Sequence, residues 1–376
     1  MTLPYMLAFL MMYGIIKPLN IPKEGIPMAK ESIADKMARK AFFRNDFQKS
    51  WQAHMAAFGP ILKPAFEGNY QAKIHMTAAL NHISSNNLAQ ALPKLQGLQK
   101  FCETEADKAA LLFCMALYSE VAGSQEQMLA YYNAANQCGH NFYLPYLKVG
   151  KFFLNSRMYQ EAEENIRKAI GCFEATGLSK QDALILSSAH TNLASCLTMT
   201  HRYDEAEAAL ATSRSLYPDA PGRAAPEAAL HAIRGNAEQV AACIEVLKAE
   251  NEDIANAVKE STDKILAGTD PVFFPVPVEE EKMAAFWKWY ASYEAELKEK
   301  LDAEQYDDGL TPIAKELLAT FPFLEEIPNV GLGKNAAGYV LELKDYYAVG
   351  IVDAYEKLLA LCPAEIKEKW QFVIAH

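Results

Sequence analysis

RMYQEAEENIRKAI (157–170) and HRYDEAEAALATSRSLYP (201–218) carry one pattern twice. Extended upstream, the first copy runs Tyr146, Val149, Gly150, Phe153, then Tyr159, Ala162, Ile166, Ala169. The second runs His190, Leu193, Ala194, Leu197, then Tyr203, Ala206, Leu210, Ser213. Large, aliphatic and small residues recur at 3, 4 and 7 steps, which places them on one face of a helix. Each copy therefore predicts two helices joined by a short turn. The small residues Gly150, Ala162, Ala169, Ala194 and Ala206 mark where two helix backbones come close.

Weaker copies precede these. Leu112, Met115, Ala116, Met128, Tyr132 and Ala135 form one, with Met128 34 residues before Ala162. His75, Ala78, Ala79, His82, Ala91 and Leu95 form another, with Ala91 37 residues before Met128. Met37, Ala38, Ala41, Phe47, Ser50 and Ala57 form a degenerate first unit. A last helix pair is expected over 226–249, followed by a helix over 252–266. The step from Ala162 to Ala206 is 44 residues, and the excess falls near Gly177-Leu178-Ser179-Lys180-Gln181-Asp182. A longer second helix with a glycine cap accounts for it.

Over roughly residues 30–250 this pattern resembles the tetratricopeptide repeat, a helix-turn-helix unit of 34 residues. The resemblance implies a solenoid of helical hairpins whose first helices line a concave surface that grips peptides or partner helices. It implies particular inward residues as well. In the repeat of Tyr146 these are Leu144, Leu147, Lys148, Lys151, Leu154 and Asn155. The next repeat supplies Ser188, Thr191, Asn192, Ser195, Thr198 and Met199, and the preceding one Ala110, Phe113, Cys114, Leu117, Glu120 and Val121. From these, Lys148, Lys151, Asn155, Thr191, Asn192 and Ser195 form the candidate peptide site. Lysine and asparagine hold a carboxylate or a peptide backbone by hydrogen bonds. The family's carboxylate clamp needs more basic positions than are present, so chaperone-tail binding is not carried over. The other reading of Lys148 and Lys151 is two ordinary solvated lysines.

The pattern stops after Leu266. Three prolines in seven residues (271–277) exclude helix there and predict an extended linker packed by Phe273 and Phe274. Four segments result: an apolar amino-terminal stretch and Pro-rich connection (1–27), repeats (28–268), a linker (269–280) and a small α+β domain (281–376). In the last, helices are expected over 281–301, 311–320 and 349–361, and strands over 339–343 and 370–375. The order is helix, helix, strand, helix, strand. The aromatic face of Phe286, Trp287, Trp289, Tyr290 and Tyr293 reads as core, or as a groove for a partner helix. This quarter loosely resembles a domain of uncharacterised bacterial proteins that opens with an FW-x-W helix. The fold class expected is mostly α, a helical-hairpin solenoid followed by a small α+β domain.

Composition sets limits. The 376 residues are 51% hydrophobic and 22% charged, which suits a sizeable core. The net charge of −11 argues against a nucleic-acid partner. Residues 279–376 carry 19 acidic and 10 basic side chains, so the acidity concentrates there and reads as solvated surface. Seven cysteines, an odd number with no CxxC pair, fit free thiols in a reducing compartment, the cytoplasm. Residues 3–16 are a 14-residue apolar run, short for a membrane span and without a signal-peptide layout. It reads as a packed helix, with membrane attachment as the alternative.

No chemistry-bearing motif stands out. Gly331-Leu332-Gly333-Lys334 lacks the first glycine of a phosphate loop and is followed by Asn335, so it reads as a strand-joining turn. His75 and His82 fall at packing positions, and Cys138-Gly139-His140 has no second ligand pair beside it. Glu279-Glu280-Glu281 and Asp307-Asp308 read as solvated charges at a linker end and a helix-joining loop. No cofactor or metal is expected. The function expected is a non-catalytic protein-interaction scaffold for a peptide or partner helix, acidic segments being the natural match to the two lysines. Two alternatives stand beside it: a targeting arm for a carboxyl-terminal enzyme or toxin/immunity-type module, and a membrane-tethered assembly factor.

Overall fold

Residues 33–138, 142–174, 180–324, 330–335 and 338–375 are described by a computed structural model of the chain. The apolar run at 3–16, His140 and the excess segment at 177–179 lie outside them. The chain divides into two compact units, Met1–Gly150 with Arg167–Gly177, and Lys151–Ile166 with Leu178–His376.

Paired helices follow one another as the spacing predicts: α1 (Ile33–Leu62), α2 (Tyr70–Ser84), α3 (Leu88–Gln99), α4 (Glu105–Ala122), α5 (Gln125–Gln137), α6 (Tyr143–Asn155), α7 (Tyr159–Glu174), α8 (Lys180–Met199), α9 (Tyr203–Leu216), α10 (Ala224–Ile233), α11 (Ala237–Glu250) and α12 (Glu252–Leu266). α2 packs on α3, α4 on α5, α8 on α9, α10 on α11, and α12 on both of the last pair. The small residues at the predicted close approaches are sealed: Gly150 is buried, and Ala162, Ala169, Ala194 and Ala206 have no exposed surface.

Among the described residues, five hairpin turns of the repeats are built alike. Each carries one residue with left-handed φ two positions before its second helix: Asn86 (56°), Gly123 (77°), Arg157 (61°), His201 (60°) and Gly235 (73°). The next amide donates to the carbonyl five residues back, as in Asn87 to His82, Ser124 to Ser119, Met158 to Phe153, Arg202 to Leu197 and Asn236 to His231. This is the Schellman closure of a helix end, which satisfies carbonyls the helix leaves unpaired. The left-handed residues stand 37, 34, 44 and 34 apart, the first three steps matching those from Ala91 to Met128, Ala162 and Ala206. Glycine and asparagine adopt this conformation readily, whereas for arginine or histidine it costs about 1 kcal/mol.

The first unit of the array departs from expectation. Residues 37–57 lie in the single helix α1, not in a hairpin, and its regular geometry breaks only at Phe58, before Gly59-Pro60. Pro60 has no amide to donate to the preceding turn, which ends the straight run.

The carboxyl-terminal module is a small α+β fold. α13 (Glu280–Asp302) packs on α14 (Tyr306–Thr320). Then come β1 (Val330–Asn335), β2 (Gly338–Lys344), α15 (Val349–Ala360), α16 (Ala364–Lys367) and β3 (Trp370–Ala375). β1 and β2 are antiparallel; β2 and β3 are parallel, joined through α15 and α16, as a parallel pair requires. Phe286, Trp287, Tyr290 and Leu297 of α13 meet Leu317, Leu341, Tyr355 and Leu358 in one core. Trp287 is 3% exposed and its Nε1 donates to the Leu358 carbonyl at 2.7 Å, so this aromatic face is core.

The module and the stretch before it depart from expectation at three places. Gly331–Lys334 is strand β1 rather than a turn, which adds a strand to the predicted order. α14 begins at Tyr306, so Asp307 and Asp308 stand in its first turn and not in a loop. The stretch after Asp270 is not wholly extended: the amides of Phe273 and Phe274 donate to the Asp270 carbonyl and close a turn.

Candidate functional site

The residues expected along the first helices fall into two groups, one in each unit. In the first unit, α4 presents Ala110, Phe113, Cys114 and Leu117, and all four are buried. Phe113 meets Phe58 of α1 edge-on at 5.2 Å and Tyr132 of α5 at 5.8 Å. It is a core residue, not the aromatic of an open groove, because the end of α1 lies on it. Burial pushes the Cys114 thiol up to about 12, which leaves it unreactive at neutral pH. The loop after α1 is fixed to α4 by Asp107, whose carboxylate accepts from the amides of Phe66 (2.5 Å), Glu103 (3.1 Å) and Thr104 (2.9 Å). Burial alone would raise its pKa; these hydrogen bonds, Phe66 first, outweigh burial and hold it below the ordinary value.

Lys148 belongs to the same unit, and its ammonium is directed inside it. Nζ lies 3.1 Å from Glu120 Oε2, which also accepts from the Tyr132 hydroxyl at 2.9 Å. Both charged side chains are about a quarter exposed, at 27%. Lys148 is therefore engaged with Glu120, a partner that sequence spacing placed in the neighbouring repeat without pairing the two.

In the second unit, Lys151 and Asn155 stand exposed on the last turns of α6. On α8 the expected polar wall divides. Thr191 is 8% exposed; its Oγ1 donates to the Ser187 carbonyl at 3.0 Å and lies 3.0 Å from Ser213 Oγ of α9. Ser187 Oγ donates to the Ser213 carbonyl at 2.9 Å. Thr191 is thus part of a hydroxyl cluster between α8 and α9 and is removed from the binding residues. Thr198 is buried likewise, its Oγ1 donating to the Ala194 carbonyl at 2.8 Å. Asn192 and Ser195 remain half-buried, with Ser188 exposed on the same helix. Ser195 Oγ donates to the Thr191 carbonyl at 3.2 Å, which leaves its lone pairs to accept.

A second cluster, unforeseen from sequence, lies where the α+β module meets the repeats of its own unit. The Arg157 guanidinium sits over the Tyr346 ring at 5.7 Å, and Tyr159 and Tyr347 face each other at 6.1 Å. His201 Nε2 is 2.5 Å from the Tyr347 carbonyl and Nδ1 is 2.7 Å from the Tyr203 hydroxyl. A carbonyl only accepts, so Nε2 carries a proton. Below it the amides of Val349 and Gly350 donate to the carbonyls of Val272 and Pro271 at 3.1 and 2.8 Å. The one advance signal was a pair of non-glycine residues, Arg157 and His201, at equivalent turn positions.

The remaining candidates resolve as packing or ladder residues. Gly333 and Lys334 pair with Val340 and Tyr339 in the β1–β2 ladder, and Lys334 Nζ bonds Asp302 at 2.8 Å, so no loop is available to cradle phosphate. His75 packs on Phe101 at 5.8 Å, where a Cβ on Gly97 would stand 3.1 Å from its ring. All seven cysteines are free. Among the described residues, no group of three His, Cys, Asp or Glu is placed to hold a metal. Among the same residues, no helix is long and apolar enough to cross a membrane.

No family model matches this chain, and no curated protein is similar to it. A solved structure described as "Functional Characterization of Pseudomonas Aeruginosa pilF" is similar at 14% identity and a TM-score of 0.34, over 67% of this chain and 92% of that one. The described residues form a mostly helical protein of packed, tetratricopeptide-like hairpins with a small three-stranded module near its carboxyl end.

Proposed function

We propose that this chain is a non-catalytic interaction scaffold, acting in the cytoplasm, that binds a peptide or partner helix along the first helices of its repeats. The observation that carries this reading is the division of α8. Leu186, Ala189, Leu193, Ala194 and Leu197 are sealed in the core. Ser188, Asn192 and Ser195 stay accessible on the same helix. A surface that offers donors and acceptors without a nucleophile, acid–base pair or metal cluster suits recognition of a peptide backbone. Lys151 adds a positive charge in the same unit, which favours an acidic ligand. Lys148 is set aside, since it belongs to the other unit.

The test compares the full chain with a Lys151→Glu/Asn192→Ala variant as probes of an array of acidic and neutral peptides. Acidic peptides bound by the parent, released by the variant and weakened by added salt are the expected result. The same peptides bound equally by both proteins would remove this surface from the function.

A further inference from the structure

We infer that Arg157 and His201 are kept in a left-handed conformation for the sake of their side chains, which strap the α+β module to the repeats of the same unit as one cooperative body. The comparison among turns carries this. Of the five hairpin turns described within the repeats, three hold residues suited to the conformation, Asn86, Gly123 and Gly235; the other two hold Arg157 and His201. Those two are the turns that touch Tyr346 and Tyr347. A backbone outlier persists where the surroundings over-determine it, and here the surroundings are the module.

The other side of the contact is built the same way. Tyr346 (φ 49°) and Tyr347 (φ 64°) are themselves left-handed and consecutive. The fully buried Asp345 holds them, its Oδ1 accepting from the Tyr347 amide at 2.9 Å and its own amide donating to the Ala375 carbonyl at 2.9 Å. Phe273 meets the His201 ring edge-on at 6.1 Å and also packs on the core of α10–α12. The turn that contains it gives its carbonyls to the first amides of α15, where a Cβ on Gly350 would stand 2.6 Å from the Phe274 carbonyl oxygen. The strap therefore has two points, one made by the tyrosine turn and one by the proline-rich turn. Both join the module to the repeats, so the segment between them is a clasp and the module is not a freely hinged appendage. A ligand held by α8 and one held by the module would then be felt by the same body.

Amide hydrogen exchange on the full chain tests this with His201→Gly and Arg157→Gly. Glycine is the residue the turn itself favours, so neither change opens the hairpin. The expected result is exchange at residues 343–350 faster by about ten-fold or more in each variant, with α8 and α9 still protected. Glu304→Gly, at a left-handed turn between α13 and α14, serves as control and leaves residues 343–350 unchanged. Unaltered exchange at 343–350 in both variants overturns the inference. So does loss of protection in α8 and α9, which would make His201 a residue of the hairpin alone.

Discussion

Gly123 and Gly235 do in their turns what Arg157 and His201 do in theirs, with a left-handed φ and the same backbone hydrogen bond. The glycine turns end where the hairpin ends. The arginine and histidine turns go on to hold Tyr346 and Tyr347. Local preference and residue identity agree in the first kind and disagree in the second. The disagreement marks the place where tertiary structure decides the residue, a general property of positions that carry work beyond their own element. The contrast can be broken at several points, and the effects should differ in size.

The largest effect is expected at Gly350. A methyl group there would overlap the carbonyl oxygens of Phe274 and Pro271, at 2.6 and 2.9 Å. Backbone oxygens cannot turn aside as a side chain can. Gly350→Ala should cost about 3 kcal/mol in urea unfolding, the upper end of overpacking costs, since two hydrogen bonds to α15 are strained as well. Exchange should rise at the arginine and histidine turns and stay unchanged at Gly123. A loss under about 0.5 kcal/mol, the size of an ordinary surface change, would mean the proline-rich turn yields freely.

Next in size is the small-residue register that both kinds of turn share. Ala162 lies behind the arginine turn and Ala91 behind the asparagine turn, and neither has any exposed surface. Ala162→Leu and Ala91→Leu should each lower stability by about 2 kcal/mol, while the exposed Ala208→Leu changes it by less than about 0.5 kcal/mol. Equal melting temperatures for all three would refute the register itself.

A third change separates the ways the chain fixes its loops. Where the second unit uses carbonyls and an imidazole, the first uses the Asp107 carboxylate. Its pKa is held below the ordinary carboxylate value by the amide of Phe66 and then those of Thr104 and Glu103, against the opposing effect of burial. The stabilisation is thus complete above the unfolded value of about 3.9 and is lost as pH falls through the lower folded value. Asp107→Asn should cost about 1.5 kcal/mol at neutral pH and make acid unfolding less steep. An acid limb identical in the two proteins would show that Asp107 is not the group responsible.

Much of the fold was legible because hairpin repeats are written in local periods. The steps of 37, 34 and 44 residues from Ala91 to Met128, Ala162 and Ala206 reappear among the turn conformations. Strand β1 was not legible, since VGLGKN with two glycines has the composition of a turn. Only one of the two glycines answers a neighbour: a Cβ on Gly331 would stand 2.9 Å from Glu342 Oε2, whereas a Cβ on Gly333 would meet nothing. Site residues were harder still. The period placed Phe113, Lys148 and Thr191 on a helix face but could not say what covers that face. Phe58 covers the first, Glu120 engages the second and Ser213 binds the third. Each partner is distant in sequence and obeys no period.

The smallest effect tests the contrast from its other end. Glu304 closes α13 with the same left-handed φ (58°), and the Gln305 amide donates to the Lys300 carbonyl as in the repeat turns. Glu304 is exposed, and its turn is of the glycine kind in everything except the residue. Glu304→Gly relieves the backbone and also frees the unfolded chain, two effects of opposite sign. The first is about 1 kcal/mol and exceeds the second, so a net gain of about 0.5 kcal/mol in urea unfolding is expected. His201→Gly relieves the same conformation yet should lose stability, because the imidazole leaves the Tyr347 carbonyl without its donor. Opposite signs for one substitution at two equivalent positions would separate a turn that merely turns from one that also holds a second domain. A gain at both positions would make the histidine an accident of sequence.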